Sequence, residues 1–138
     1  FTKEDGTDFV IGKAQQLSEG TDVSIFACGH MVWKAIEAGR ILEEKGISVE
    51  VINIHTIKPL DGESVLLFAK RFGKLVTAEE HQVAGGMGSA VAEFLAEHFP
   101  VPIKFIGVHD QFGQSGTQEE LFKHYELTAD DILSAIKK

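Results

Sequence analysis

Residues 75–94, LVTAEEHQVAGGMGSAVAEF, constrain the fold of this chain more than any other stretch. Residues 75–78 are a short apolar run of the kind that forms a buried strand. Three titratable residues, Glu79, Glu80 and His81, follow where that strand is expected to end. Gly85, Gly86 and Gly88 come next, then Ser89, then Ala90, Val91, Phe94 and Leu95 at helical spacing. The pattern is strand, glycine-rich turn, helix. In an open parallel sheet such a turn lies at the carboxyl ends of the strands, where ligands and partners approach.

The rest of the chain repeats this alternation. Residues 9–11, FVI, followed by Gly12 and polar residues, predict a short first strand that doubles back, antiparallel and at an edge. VSIFA at 23–27 predicts a buried strand, and a helix runs from His30 through Lys45, its stripe made of Val32, Ala35, Ile36, Ala38, Gly39 and Leu42. Gly46 ends that helix. Residues 49–54 predict a third strand, and Asp61 is placed to cap the helix that buries Val65, Leu66, Phe68, Ala69 and Phe72. Pro100 and Pro102 precede a fifth strand at 103–108. Two short helices close the chain, with Thr117 and Glu120 spaced as a capping box and Thr128 and Asp131 at the same spacing without the Glu or Gln of a proper box. Strands alternating with helices predict a three-layer α/β/α domain around a five-stranded, mostly parallel sheet with an antiparallel first strand.

Length and charge narrow the function. At 138 residues the chain has room for one core, and residues 1–138 read as a single domain. A net charge of −8 with no basic run longer than two residues argues against nucleic acid or an anionic membrane as partner. Lys70, Arg71 and Lys74 read as a solvated helix end, and Trp33 as helix packing. Cys28 stands alone, so it pairs with no second cysteine in the chain and reads as a small core residue in a protein of the reducing cytoplasm. The polar start after Phe1 is that expected of a piece of something longer.

His30, His55, His81 and His109 each follow an expected strand, so a parallel sheet brings them to one edge with Glu79, Glu80 and Asp110. Imidazoles and carboxylates in one cleft can bind zinc or move protons, and a self-contained binding module built on them is one reading. No pair has the spacing of a zinc-binding helix, and the same residues can simply satisfy loop backbones or meet a partner. The glycine turn matches neither established phosphate-loop pattern. Its glycines instead suit close backbone packing against another surface.

Three separated blocks carry a resemblance: VINIHTIKPLD at 51–61, VTAEEHQVAGGMGSAVAE at 76–93 and HDQFGQSGTQEELFKHYELTADDI at 109–132. They resemble the C-terminal domain of transketolases, in the form encoded as a separate C-terminal section or subunit. Deoxyxylulose-phosphate synthases and the beta chains of 2-oxo acid dehydrogenases share a similar domain. The FGQSG tail and the Glu80-His81 pair favour transketolase. The resemblance implies a thiamine diphosphate- and magnesium-dependent enzyme of the pentose phosphate pathway that moves a two-carbon ketol unit between sugar phosphates. It implies pyrimidine- and diphosphate-binding domains as partners, in a homodimer or heterotetramer. The G-D-G…N pattern that holds the diphosphate in the family is missing. Asp5-Gly6-Thr7-Asp8 is the nearest approximation, so no catalytic residue, cofactor site or metal site is expected here. The turn is expected to be a domain or subunit contact formed by Glu79, Glu80, His81, Val83, Gly85, Gly86, Met87, Gly88 and Ser89. Val83 and Met87 would supply its apolar surface, and a valine at Gly86 would weaken assembly.

Overall fold

The computed structural model describes residues 9–137. Its elements in chain order are β1 (Gln15–Ser18), β2 (Val23–Ala27), α1 (Met31–Glu43), β3 (Val49–Asn53), α2 (Gly62–Phe72), β4 (Leu75–Gln82), α3 (Met87–His98), β5 (Ile103–Val108), α4 (Gln118–His124) and α5 (Ala129–Lys137). The sheet order is β1-β3-β2-β4-β5. β1 pairs antiparallel with β3, and every other pairing is parallel.

Period-two alternation distributes the strands' side chains between two cores. Val23, Ile25, Val49, Val51, Val76 and Ala78 face one side and pack with α1 and α5. Phe26, Ile52 and Leu75 face the other and pack with α2 and α3. The result is the expected three-layer arrangement. The central strands carry apolar residues on both faces because helices cover both, so VSIFA is buried at all five positions.

Local signals end the helices where the residues say they should. Asp61 caps α2 by accepting from the Ser64 N–H, and Gly73 closes that helix at φ 67°. Thr117 and Glu120 form the capping box of α4. Thr128 and Asp131 make the same reciprocal bonds at the head of α5 although Asp131 is shorter than the usual Glu or Gln.

Four expectations change. The first strand is antiparallel and at an edge, but it is Gln15–Ser18, not residues 9–11, whose side chains are exposed. The polar strand wins because β3 satisfies it: Gln16 Nε2 donates to Glu50 at 2.6 Å, and Ser18 Oγ accepts from the Val51 N–H at 3.0 Å. β4 does not end at Ala78; it continues through Glu79, Glu80 and His81. Trp33 is covered only in part, with half of its surface exposed. The Asp5-Gly6-Thr7-Asp8 stretch lies outside the described residues.

The fourth change is Arg71. Its guanidinium donates to Glu50 at 3.3 Å and to the Gly20 carbonyl at 3.2 Å, bridging α2 to the sheet. Glu50 is fully buried while Arg71 is about half exposed, 0% against 48%. The second Glu50 oxygen has no hydrogen-bond partner among the described residues. Burial pushes the Glu50 carboxyl up, and the Arg71 charge pulls the other way. An acid whose folded pKa is raised holds its proton more tightly when folded, so stability falls as pH climbs from the ordinary glutamate range through the folded pKa. Arg71→Ala removes the opposing charge and widens that window. We expect it to cost about 2 kcal/mol near neutral pH, half exposure of the arginine keeping the loss below that of a fully buried pair. Urea unfolding should show a smaller loss at about pH 5 than at about pH 7.5. Adding Glu50→Gln should recover most of it. An equal loss at both pH values would mean that Arg71 acts through packing alone.

Candidate functional site at the carboxyl ends of the strands

Strands β2 to β5 are parallel, so their carboxyl ends share one edge. β3 lies on one side of β2 and β4 on the other, which makes the β2/β4 gap the point where strand order reverses. His30 follows β2, His55 follows β3, His81 sits near the end of β4 and His109 follows β5, all on that edge.

The edge does not gather them into one cluster. His30 Nδ1 bonds the Glu80 carboxylate at 2.9 and 3.0 Å across the β2/β4 gap. The His55 ring meets Phe9 edge-on, with centroids 5.0 Å apart, and its Nδ1 bonds Thr56 Oγ1. His81 Nδ1 donates to the Gln82 carbonyl at 2.9 Å. His109 lines a cavity of about 440 Å³ beside β5, with Lys104, Tyr125, Glu126 and Asp131. Asp110 has φ 49°, and its backbone N–H donates to Gln82 Oε1. Among the described residues no three His, Cys, Asp or Glu side chains are grouped to hold a metal ion. Strand direction brings these residues to one edge, but each then takes a different neighbour.

The turn is built inward. Glu79 is 2% exposed. Its two carboxylate oxygens accept from the Met87 N–H at 2.6 Å and the Gly88 N–H at 2.8 Å. These are first-turn donors of α3, the groups a bound phosphate would use. A carboxylate of the same chain already occupies them. Ser89 Oγ closes the turn by donating to the Val83 carbonyl and accepting from the Gly85 N–H.

The glycines serve this clamp. Gly85 stands at φ 77° with open space around it, so its role is conformational. A Cβ on Gly86 would lie 2.2 Å from Glu79 Oε2 and 2.5 Å from the Gln82 carbonyl oxygen, and one on Gly88 would lie 2.7 Å from Thr77 Oγ1. The close approach expected of the glycines is therefore to their own chain. Met87 is fully buried in the core beneath α2 and α3, so it offers no outer apolar surface. Val83 is half-buried, near Gly107, and Glu79 is buried with both oxygens turned to the Met87 and Gly88 N–H groups of its own chain, so it presents no carboxylate outward. Glu80, His81 and Gly85 remain exposed. The inward role of Glu79 was readable from phase: Leu75, Thr77 and Glu79 alternate onto one face of β4. Gln82, which holds the Gln111 carbonyl and the Asp110 N–H, left no such signal.

Cys28 lies half-buried beside these carboxylates. Burial pushes its thiol up to about 11, and Glu79 and Glu80 add to the shift. It is a thiol at neutral pH and a poor nucleophile.

Comparison with known proteins decides what this edge belongs to. The family model "Transketolase, C-terminal domain" matches residues 12–132. The chain belongs to the transketolase C-terminal domain family. Among relatives of this transketolase domain, the 6-deoxy-6-sulfo-D-fructose transketolase subunit SqwH of Clostridium sp. (strain MSTE9) is 48% identical over 128 residues. That match takes in 93% of this chain and 40% of the relative. An apulose-4-phosphate transketolase subunit of Phocaeicola vulgatus is 42% identical over 130 residues, 94% of this chain and 41% of the relative. A solved structure described as a split gene transketolase, inactive beta4 tetramer, superposes with a TM-score of 0.89 at 46% identity, covering 94% of this chain and 42% of that one. The transketolase domain described here thus spans about two fifths of the length of these relatives.

Proposed function

We propose that the chain is the assembly-forming C-terminal domain of a thiamine diphosphate-dependent transketolase, which transfers a two-carbon ketol unit between sugar phosphates in the cytoplasm. In this reading residues 1–138 are one domain of a longer enzyme of pentose phosphate metabolism. Pyrimidine- and diphosphate-binding domains elsewhere complete it, in a homodimer or heterotetramer.

One observation carries the structural role: Glu79 fills the N–H groups at the head of α3. The described residues therefore do not fit the cofactor's diphosphate at this turn, whose N–H groups are already taken. The cofactor's chemistry belongs to the other domains. What the turn offers outward is the rim of Glu80, His81 and Gly85, with the His30 ring held by Glu80, and this rim meets the rest of the enzyme. The two named relatives carry different sugars in their names while both match this domain above 40% identity, which supports placing sugar choice outside it.

The test has two arms. The complete enzyme, given thiamine diphosphate and magnesium, is expected to transfer ketol units from a ketose phosphate to an aldose phosphate. Calorimetric titration of the same cofactor into residues 1–138 is expected to give no binding heat. Binding to this chain alone at about micromolar strength would falsify the assembly role.

A further inference from the structure

Two strained residues bracket one stretch of the chain. Among the described residues, Asp110 at φ 49° and Glu126 at φ 57° are the non-glycine residues with positive φ. That conformation crowds the Cβ of an L-residue against its own backbone, and both side chains are exposed, so no burial holds them in it. Between them run the loop after β5 and the whole of α4. No residue from 109 to 126 is fully buried. On either side the chain returns to the core, at Ile106 before the stretch and at Leu127, Ala129, Ile132 and Leu133 after it.

The stretch is tied mostly to itself. Thr117 and Glu120 exchange the bonds of the capping box, and Lys123 Nζ pairs with Glu119 at 3.1 Å. Tyr125 Oη donates to the Phe112 carbonyl at 2.8 Å and accepts from the Gln114 N–H at 2.8 Å, which fastens the loop to the helix. Its ties to the rest of the chain are few. Gln82, the last residue of β4, donates from Nε2 to the Gln111 carbonyl at 2.7 Å and accepts from the Asp110 N–H at 3.0 Å. At the far end the Leu127 N–H donates to the Phe122 carbonyl at 2.8 Å. Among the described residues no other hydrogen bond or ion pair leaves the stretch. Its apolar footing is partial too: Phe122 and Tyr125 lie against the core only half-buried. Open space of about 600 Å³ borders α4 toward Lys34 of α1, and another of about 450 Å³ toward His30, Glu80 and Val108.

We propose that residues 111–125 form a strap that swings open as one body about Asp110 and Glu126, with Gln82 as its latch. Opening breaks the two Gln82 bonds and the footing of Phe122 and Tyr125 but none of the bonds inside the strap, so it requires far less than unfolding the domain. Rotation at the two ends also releases Asp110 and Glu126 from the left-handed region, so their strain favours opening. Closed, α4 forms one wall of the depression that holds Val108, Leu127 and the His30–Glu80 pair. Open, the strap bares that apolar floor and the pair beside it. The latch lies next to the outward rim, because Glu80, His81 and Gln82 are consecutive on β4. The motion is internal to the chain and stands whether or not that rim meets the rest of the enzyme.

Hydrogen exchange of the complete enzyme, followed by mass spectrometry at urea concentrations below its unfolding transition, tests the strap. Overlapping peptides covering 118–126 are expected to share one protection factor, about 100-fold below that of β2 and β4 and almost independent of urea, because opening exposes little surface. Gln82→Ala should lower the protection of 118–126 by about tenfold, the scale of losing the latch bonds, and leave α1 and α3 unchanged. Glu126→Gly removes the crowded Cβ from the closed state and should raise that protection roughly fivefold. Protection of 118–126 equal to that of β2 and β4 would overturn the strap. A gradient of protection from one end of α4 would do so as well, since it marks fraying and not motion as one body. Gln82→Ala lowering α1 and α3 as much as α4 would show that Gln82 holds the whole fold and latches nothing, and unchanged or lower protection in Glu126→Gly would show that residue 126 is no hinge. Either result defeats the proposal.

Discussion

Gly86→Val is expected to leave no stably folded chain, instead of a folded chain that assembles poorly. The first added carbon would sit 2.2 Å from Glu79 Oε2 and 2.5 Å from the Gln82 carbonyl oxygen, and valine adds two methyl groups beyond it. The carboxylate could swing aside, but the Gln82 backbone belongs to β4 and cannot yield without disturbing the ladder. Overpacking of this kind costs about 1–3 kcal/mol by itself. Moving Glu79 away also forfeits its two charge-assisted bonds to the Met87 and Gly88 N–H groups, each worth about 1.5–3 kcal/mol. The sum, on the order of 5 kcal/mol or more, is comparable to the whole stability of an ordinary domain. Circular dichroism should show lost helix and a broad or absent thermal transition. Gly86→Ala, which adds the first carbon only, should fold with a clearly lowered midpoint. A Gly86→Val protein that melts cooperatively within a few degrees of the parent would show that the turn relaxes freely, and the clamp would then not be structural.

Removing the other half of the clamp should be nearly as costly. Glu79→Ala leaves the Met87 and Gly88 N–H groups buried without acceptors and opens a void beneath the turn. The expected loss is about 3–4 kcal/mol. Glu79→Gln keeps one acceptor oxygen and the volume but turns an N–H₂ group toward the second donor, so about half that loss is expected. Urea unfolding of the three proteins gives the order parent, Gln, Ala. Amide exchange adds a readout that simple loss of volume would not move: protection should fall first at Met87 and Gly88 and then along the first turn of α3. Equal losses for Gln and Ala, with α3 protection unchanged, would reduce Glu79 to a space filler.

Both results follow from features that lie differently in the sequence. The mostly apolar runs at 23–27, 49–54 and 75–78 are readable as buried parallel strands because burial on both faces favours apolar residues at successive positions, with Ser24, Glu50 and Thr77 as buried polar exceptions. Asp61, Gly73 and the Thr117–Glu120 pair mark helix ends because capping is a contact among near neighbours. Once those strands are parallel, the arrival of His30, His55, His81 and His109 at one edge follows from connectivity alone. The blocks at 51–61, 76–93 and 109–132 are local strings too, which is why the family was legible before any coordinates.

What the sequence could not announce depends on partners distant along the chain. Arg71 reads as a solvated helix end until the sheet places Glu50 and Gly20 within its reach. Residues 15–18 look too polar for a strand until Glu50 and the β3 backbone answer their side chains, while the apolar residues 9–11 stay exposed. The four histidines share an edge yet part company, because each imidazole pairs with whatever its own loop brings close. Met87 looked like surface for a partner and is core, since Glu79 draws the head of α3 down onto β4. Periodicity and capping were written in the sequence because they act over a few residues. The sheet decided the rest by setting which distant polar groups met and which of them water could no longer reach.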